Sequence, residues 1–298
     1  MCGIVGLFLK DKALEPQLGA LLSDMLITMT DRGPDSAGIA IYGPSEAGSG
    51  KITVQSADPA ADFKSLKAAL AKKLGVAVSM TIRATHAVIA VECGKLDAAR
   101  TALKELRPGI TVMGSGESVE IYKEVGLPKD VAARFKIGAM GGTHGIGHTR
   151  MATESAVTTF GAHPFSTGPD QCLVHNGSLS NHNNLRRELV RNGLRFETEN
   201  DTEVAAAYLS HKLATGSNLG AALESGLSDL DGFYTFVVGT KSGFGVLRDP
   251  IACKPAVMAE TDGYVAFGSE YRALVNLPGI EAARVWEPEP ATVYFWEH

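Results

Sequence analysis

Apolar positions along this chain follow two spacings. Ile4, Val5, Leu7 and Phe8 make a short, nearly unbroken apolar run, the pattern of a strand covered on both faces. Leu18, Leu21, Leu22, Met25, Leu26 and Met29 then recur at helical intervals along one face, until Gly33 and Pro34 end the pattern. A strand is expected at 38–42. Between 51 and 140 the pattern is less regular, with strands expected at 76–82 and 87–93 and helices at 61–74 and 96–106. From residue 143 onward, β-like runs at 145–150, 172–175, 233–239, 244–247, 264–267 and 292–296 alternate with turns. Helical spacing covers 183–192, 202–214 and 219–230. Many strands with helices inserted in blocks predict an α+β layered fold with mixed or antiparallel sheets. No repeat, low-complexity tract or linker divides the chain, so 2–298 reads as one domain whose middle region is inserted.

Composition narrows the class without naming a chemistry. Of 298 residues, 45% are hydrophobic and 20% charged, which suits a globular chain that buries a core. The net charge of −5 and the lack of a basic run argue against a nucleic-acid partner. No apolar stretch reaches the length of a membrane span, about 18 residues, so no membrane partner is expected. The first residues lack the basic segment of a secretion signal. Cys2, Cys93, Cys172 and Cys253 lie far apart without paired spacing. That favours a reduced, cytoplasmic protein over a disulfide framework or a zinc site. His144 and His148 sit among glycines rather than on a helical pattern and are read as non-ligands, so no metal is expected.

Candidate chemistry begins at Met1-Cys2-Gly3. Removing Met1 would leave a thiol and a free α-amine on one residue, and an amine of pKa about 7.7–8.0 can accept the thiol's proton near neutrality. The plainer alternative is that Cys2 merely precedes a strand. Three polar clusters interrupt strand ends further along. In Gly147-His148-Thr149-Arg150-Met151-Ala152-Thr153, an arginine at a strand end suits bidentate capture of a carboxylate, or else a surface ion pair. In His175-Asn176-Gly177, a side-chain amide beside a glycine N–H suits an oxyanion hole, or else a simple Asn-Gly turn. In Asn200-Asp201-Thr202-Glu203, Asp201 suits an ammonium group, or else a helix N-cap.

The order of these clusters after Cys-Gly resembles the class II, N-terminal-nucleophile glutamine amidotransferases. The matching motifs are Cys2-Gly3-Ile4, Arg32–Gly38 (Arg-Gly-Pro-Asp-Ser-Ala-Gly), Gly147–Thr153, His163-Pro164, His175–Gly177 and Asp201–Glu203. Arg248-Asp249-Pro250 and Lys254-Pro255 follow the same pattern, and the likeness covers about two-thirds of the chain. The resemblance implies a four-layer αββα sandwich, with Cys2 as nucleophile on the side-chain amide of glutamine. It implies Asn176 and Gly177 as oxyanion donors, Arg150 on the substrate carboxylate, Asp201 on its ammonium, Thr153 lining the pocket and Arg32 supporting the N-terminus. Two departures stand out. Glu154 occupies a position where several relatives have histidine, and an α/β segment at roughly 65–140 is inserted.

The segment Gly116–Lys123 together with the insertion is similar to the stand-alone amidotransferase subunits of the methylamine–glutamate N-methyltransferases and to GlxB-type proteins. That likeness implies a subunit in a hetero-oligomer, binding glutamine or glutamate and serving glutamate-synthase-like partners. No cofactor is expected in this chain, which lacks a CxxC pair and a complete GxGxxG; FMN and iron–sulfur centres are expected in the partners.

Overall fold

A computed structural model describes residues 2–152 and 157–298 of the chain. Its first strand, β1 (Gly3–Leu9), is buried along its whole length because its two faces meet different layers. Ile4 and Phe8 enter one core, while Val5, Leu7 and Leu9 enter another beneath α1 (Leu18–Ile27). Both faces being apolar is why the run reads as continuous instead of alternating. Next comes β2 (Ser36–Tyr42), also buried throughout.

The chain then leaves the main body. β3 (Ser49–Gln55), α2 (Pro59–Asp62), α3 (Leu66–Leu74), β4 (Ser79–Arg83), β5 (His86–Glu92), α4 (Leu96–Leu106) and β6 (Thr111–Gly116) build an additional four-stranded sheet ordered β4-β5-β3-β6. Ile52, Leu70, Ile89 and Leu103 form its own small core under α3 and α4. The single helix expected at 61–74 is divided, because Ser65 takes a left-handed conformation that ends α2's path and starts α3. β7 (Val119–Val125) returns to the main sheet beside β2, and α5 (Pro128–Phe135) packs near α1. The segment read as inserted at roughly 65–140 thus splits in two. Residues 49–116 carry the extra sheet, and 119–135 belong to the main body through a seven-residue pairing of β7 with β2.

The second half supplies β8 (His144–Arg150), β9 (Phe165–Gly168), β10 (Gln171–Leu179), α6 (His182–Arg191), α7 (Asp201–Ala214) and α8 (Leu219–Asp229). β11 (Gly232–Gly239), β12 (Gly243–Arg248), β13 (Val257–Glu260), β14 (Tyr264–Gly268), β15 (Arg284–Trp286) and β16 (Thr292–Glu297) complete it. Seven strands run β15-β13-β14-β1-β8-β2-β7 and five run β16-β12-β11-β10-β9. Ile4, Phe8 and Ile146 of the larger sheet face Val174, Val237 and Phe244 of the smaller. Helices α6, α7 and α8 cover the smaller sheet's outer side and α1 and α5 the larger's, giving the expected αββα layers. Among the described residues, no helix is long and apolar enough to cross a membrane.

Candidate active site

The site lies where three strands end. β1 and β8 pair antiparallel with Gly3 opposite Thr149, so one further step sets Arg150 across from Cys2. In the facing sheet, Cys172 and Val174 of β10 point into the inter-sheet core, and strand alternation carries Asn176 to the same side. Its Nδ2 donates to the Cys2 carbonyl at 3.3 Å. Arg32 Nε donates to that same carbonyl at 2.9 Å, and Arg32 Nη1 pairs with Glu270 at 2.6 Å. Ile4 and Ser269 exchange two further hydrogen bonds of 2.9 Å. The backbone around Cys2 is therefore held from both sheets, while Cys2 itself stays partly exposed. Arg32 and Arg272 together hold the Glu270 carboxyl below the usual range, which keeps this brace ionised.

Asn176-Gly177 is not a turn. β10 continues through it, with Asn176 opposite Thr235 and Gly177 opposite Tyr234 of β11. Gly177 has φ of +144°, and a Cβ there would come within 1.9 Å of the Phe233 carbonyl oxygen. Only glycine fits that approach. An Asn-Gly pair carries the same local signal in a hairpin turn as here; the partner residue that decides between them lies 59 residues away (176 to 235).

Each residue opening α7 has a separate job. The helix cap is Asn200, whose Oδ1 accepts from Thr202 N at 2.8 Å, so Asp201 is free of that duty. Asp201 Oδ2 accepts from Leu179 N at 2.9 Å, which fixes its carboxylate at the end of β10, and its Oδ1 lies 3.7 Å from His175 Nδ1. Glu203 ties down the preceding loop through the N–H groups of Glu197 and Thr198. Thr202 sits under a buried histidine group: its Oγ1 is 2.7 Å from His163 Nε2 and 3.0 Å from His175 Nδ1. His163 stacks on His148 at 4.0 Å, and His148 Nε2 donates to the His175 carbonyl at 3.1 Å, joining the two sheets. Burial lowers all three rings, His148 to about 3, with Asp201 opposing the shift at His175. They remain neutral at physiological pH and brace the site's floor.

Asp35 organises the exit of β8. Its carboxylate accepts from Ala152 N at 2.8 Å and its own N–H donates to the Arg150 carbonyl at 3.1 Å. Arg150 is buried, and Gly161 lies against it: a Cβ on Gly161 would stand 3.3 Å from Arg150 Nη1. Thr153 and Glu154 fall outside the described residues. The structure thus brings Cys2, Arg150, Asn176, Gly177 and Asp201 to one end of the sandwich. Asp35, Thr202, Ser269 and Glu270 are supporting residues that sequence reading did not assign. Asp35 and Thr202 stand inside the quoted motifs, whereas nothing local marks Ser269 or Glu270. Among the described residues, no three His, Cys, Asp or Glu side chains gather in metal-holding geometry.

Residues 148–276 match the family model for a glutamine amidotransferase domain. The chain is 72% identical to the glutamine amidotransferase-like protein GlxB of Rhizobium meliloti (strain 1021), covering 100% of this chain and 99% of that protein. It is 35% identical over 307 residues to a relative from Methanothermobacter thermautotrophicus, with 100% of both covered. Among solved structures, the glutamine phosphoribosylpyrophosphate amidotransferase of B. subtilis superposes with a TM-score of 0.63 at 19% identity. That likeness covers 99% of this chain and 47% of the other, and it is one of fold.

Proposed function

The chain belongs to the class II glutamine amidotransferases, and on that premise we propose that Cys2, freed by loss of Met1, hydrolyses the side-chain amide of glutamine and delivers the nitrogen to partner subunits. The Cys2 α-amine takes the thiol proton and the sulfur bonds to the amide carbon. Asn176 Nδ2 and the Gly177 N–H stabilise the oxyanion that forms. The C–N bond then breaks, the proton held by the α-amine passes to the leaving nitrogen, and ammonia departs. Water cleaves the γ-glutamyl thioester, giving glutamate and restoring the thiol. Arg150 binds the α-carboxylate and Asp201 the α-ammonium, which selects a free amino acid over a peptide. The observation that supports this reading most is the 3.3 Å contact from the Asn176 amide to the Cys2 carbonyl, since it joins the donor strand to the thiol's own residue.

The nitrogen's destination follows from the resemblance to the amidotransferase component of methylamine–glutamate N-methyltransferase. In this reading the chain works in a hetero-oligomer whose glutamate-synthase-like subunits carry FMN and iron–sulfur centres, and N-methylglutamate forms when the glutamine-type amide that is cleaved releases methylamine in place of ammonia. The test is reconstitution with those partners, comparing methylamine and ammonia as acceptors, with native chain and with Cys2→Ala. Methylamine-dependent N-methylglutamate synthesis that needs Cys2 supports the reading. Preference for ammonia would make this an ammonia-supplying subunit of a glutamate-synthase-like complex. Full synthesis with Cys2→Ala would make it a silent glutamate-binding scaffold.

A further inference from the structure

β7 carries two buried charged residues that the chemistry above leaves unused, Lys123 and Glu124. Lys123 Nζ donates to the carbonyl oxygens of Ala162 at 2.7 Å, Pro164 at 3.2 Å and Phe160 at 3.3 Å. An ammonium group has three donors, and here each meets one of these carbonyls. The acceptors lie in the loop leading into β9, which is half-buried at Phe160 and buried from Ala162 to Pro164, so its polar backbone there needs partners from elsewhere. Glu124 lies on the opposite face of β7, as strand alternation requires. It accepts from the Thr159 hydroxyl of the same loop and, at 2.9 Å, from the Thr85 hydroxyl in the turn between β4 and β5. Arg134 of α5 stands 3.6 Å from it. The loop therefore grips the edge strand β7 from both faces. It also reaches the site twice, through Gly161 against the Arg150 guanidinium and through His163 on His148 and Thr202.

We propose that Lys123 and Glu124 are positioning residues for glutamine binding. They hold residues 158–164 beside Arg150, and Glu124 makes that hold depend on the β4–β5 turn of the additional sheet. This rests on the reading that Arg150 takes the substrate carboxylate, and it gives the additional sheet a route to the site.

Burial lowers Lys123 to about 7, against the pull of Glu203 and Glu197. Other titratable groups facing it are His163 from the loop and His86 from β5. Below that pH the ammonium serves three carbonyls. Above it the neutral amine has at most two N–H donors, and one carbonyl loses its partner. The hold on the loop therefore weakens as pH rises through about 7.

The test uses Lys123→Met, Thr85→Val and Thr159→Val in the full chain, with two readouts. Hydrogen exchange of residues 158–163 needs no catalysis; it should quicken about fivefold or more in Lys123→Met and about twofold in each threonine variant, with β1 and β10 unchanged. The KM for glutamine should rise roughly tenfold in Lys123→Met with kcat within about twofold, the signature of lost substrate binding. The rise of KM with pH through 7 should vanish in that variant. If Lys123→Met does not fold, the threonine variants carry the test, since both alter side chains at the molecule's periphery. Wild-type loop exchange and wild-type KM in both threonine variants would overturn the proposal. Glutaminase activity surviving in Cys2→Ala would instead sink the assignment of the nucleophile, and leave the exchange result to be judged by itself.

Discussion

The two ends of the β-sandwich each hold a cysteine, partly exposed at one end and fully buried at the other. At one end Cys2 precedes β1, partly exposed, with Arg32 and Asn176 on its carbonyl and Arg150 across the ladder. At the other end Cys172, the second residue of β10, lies deep in the inter-sheet core. Its Sγ lies 3.2 Å from the Tyr42 hydroxyl, which also contacts the Asp170 carbonyl at 3.1 Å. His144 stacks on Tyr42 at 4.1 Å and spends its Nε2 on the Thr240 carbonyl. Burial pushes the Cys172 thiol up to about 12, so at neutral pH it holds almost no thiolate. The same strands build both ends. What separates them is that the polar groups around Cys172 satisfy one another, whereas those around Cys2 hold its backbone and leave the side chain accessible.

That contrast breaks or sharpens in a graded way. Cys2→Ala should lower glutamine hydrolysis by roughly 10⁴-fold or more, as loss of a nucleophile does, while Cys172→Ala should stay within about twofold of wild type. Equal losses in the two variants would erase the distinction between the ends. Asn176→Ala should cost about 10²–10³ in kcat, the usual effect of removing one oxyanion donor. A change confined to KM would mean that Asn176 only positions substrate. Acid should affect both ends alike, because burial holds His144 and His148 at about 3, below an unfolded value near 6.5. The unfolded chain then binds more protons below that value. Stability is complete above pH of about 6.5 and falls towards pH 3, at on the order of 1.4 kcal/mol per pH unit for each ring. A urea midpoint that stays flat from pH 7 to pH 5 would contradict the neutral-histidine floor. The smallest effect is the stability loss of Cys172→Ala, about 1–2 kcal/mol from a lost buried sulfur contact, read as a shift in the same midpoint.

Much of the site was legible because its motifs are local. Arg32 to Gly38, His148 to Ala152 and Asp201 to Glu203 each bring several working residues within one short segment, and the apolar spacing located β1 and α1. What stayed hidden depends on partners distant in sequence. Asn176-Gly177 could be told from a turn only by knowing that β11 pairs with it. The division of the middle region required the ladder between β7 and β2, since Val119, Ile121 and Tyr122 look alike whichever sheet they join. Lys123 gave no signal at all: a lysine in an alternating strand reads as a solvated face, and only the loop carbonyls around it explain its burial.

The most direct measurement is peptide mass mapping of the chain after inactivation by a diazoketone analogue of glutamine. The account predicts one adduct, on a terminal peptide that begins at Cys2 without Met1, with Cys93, Cys172 and Cys253 unmodified and with excess glutamine protecting against both labelling and loss of activity. Retention of Met1 on fully active chain, or inactivation that tracks an adduct on any other cysteine, would contradict it.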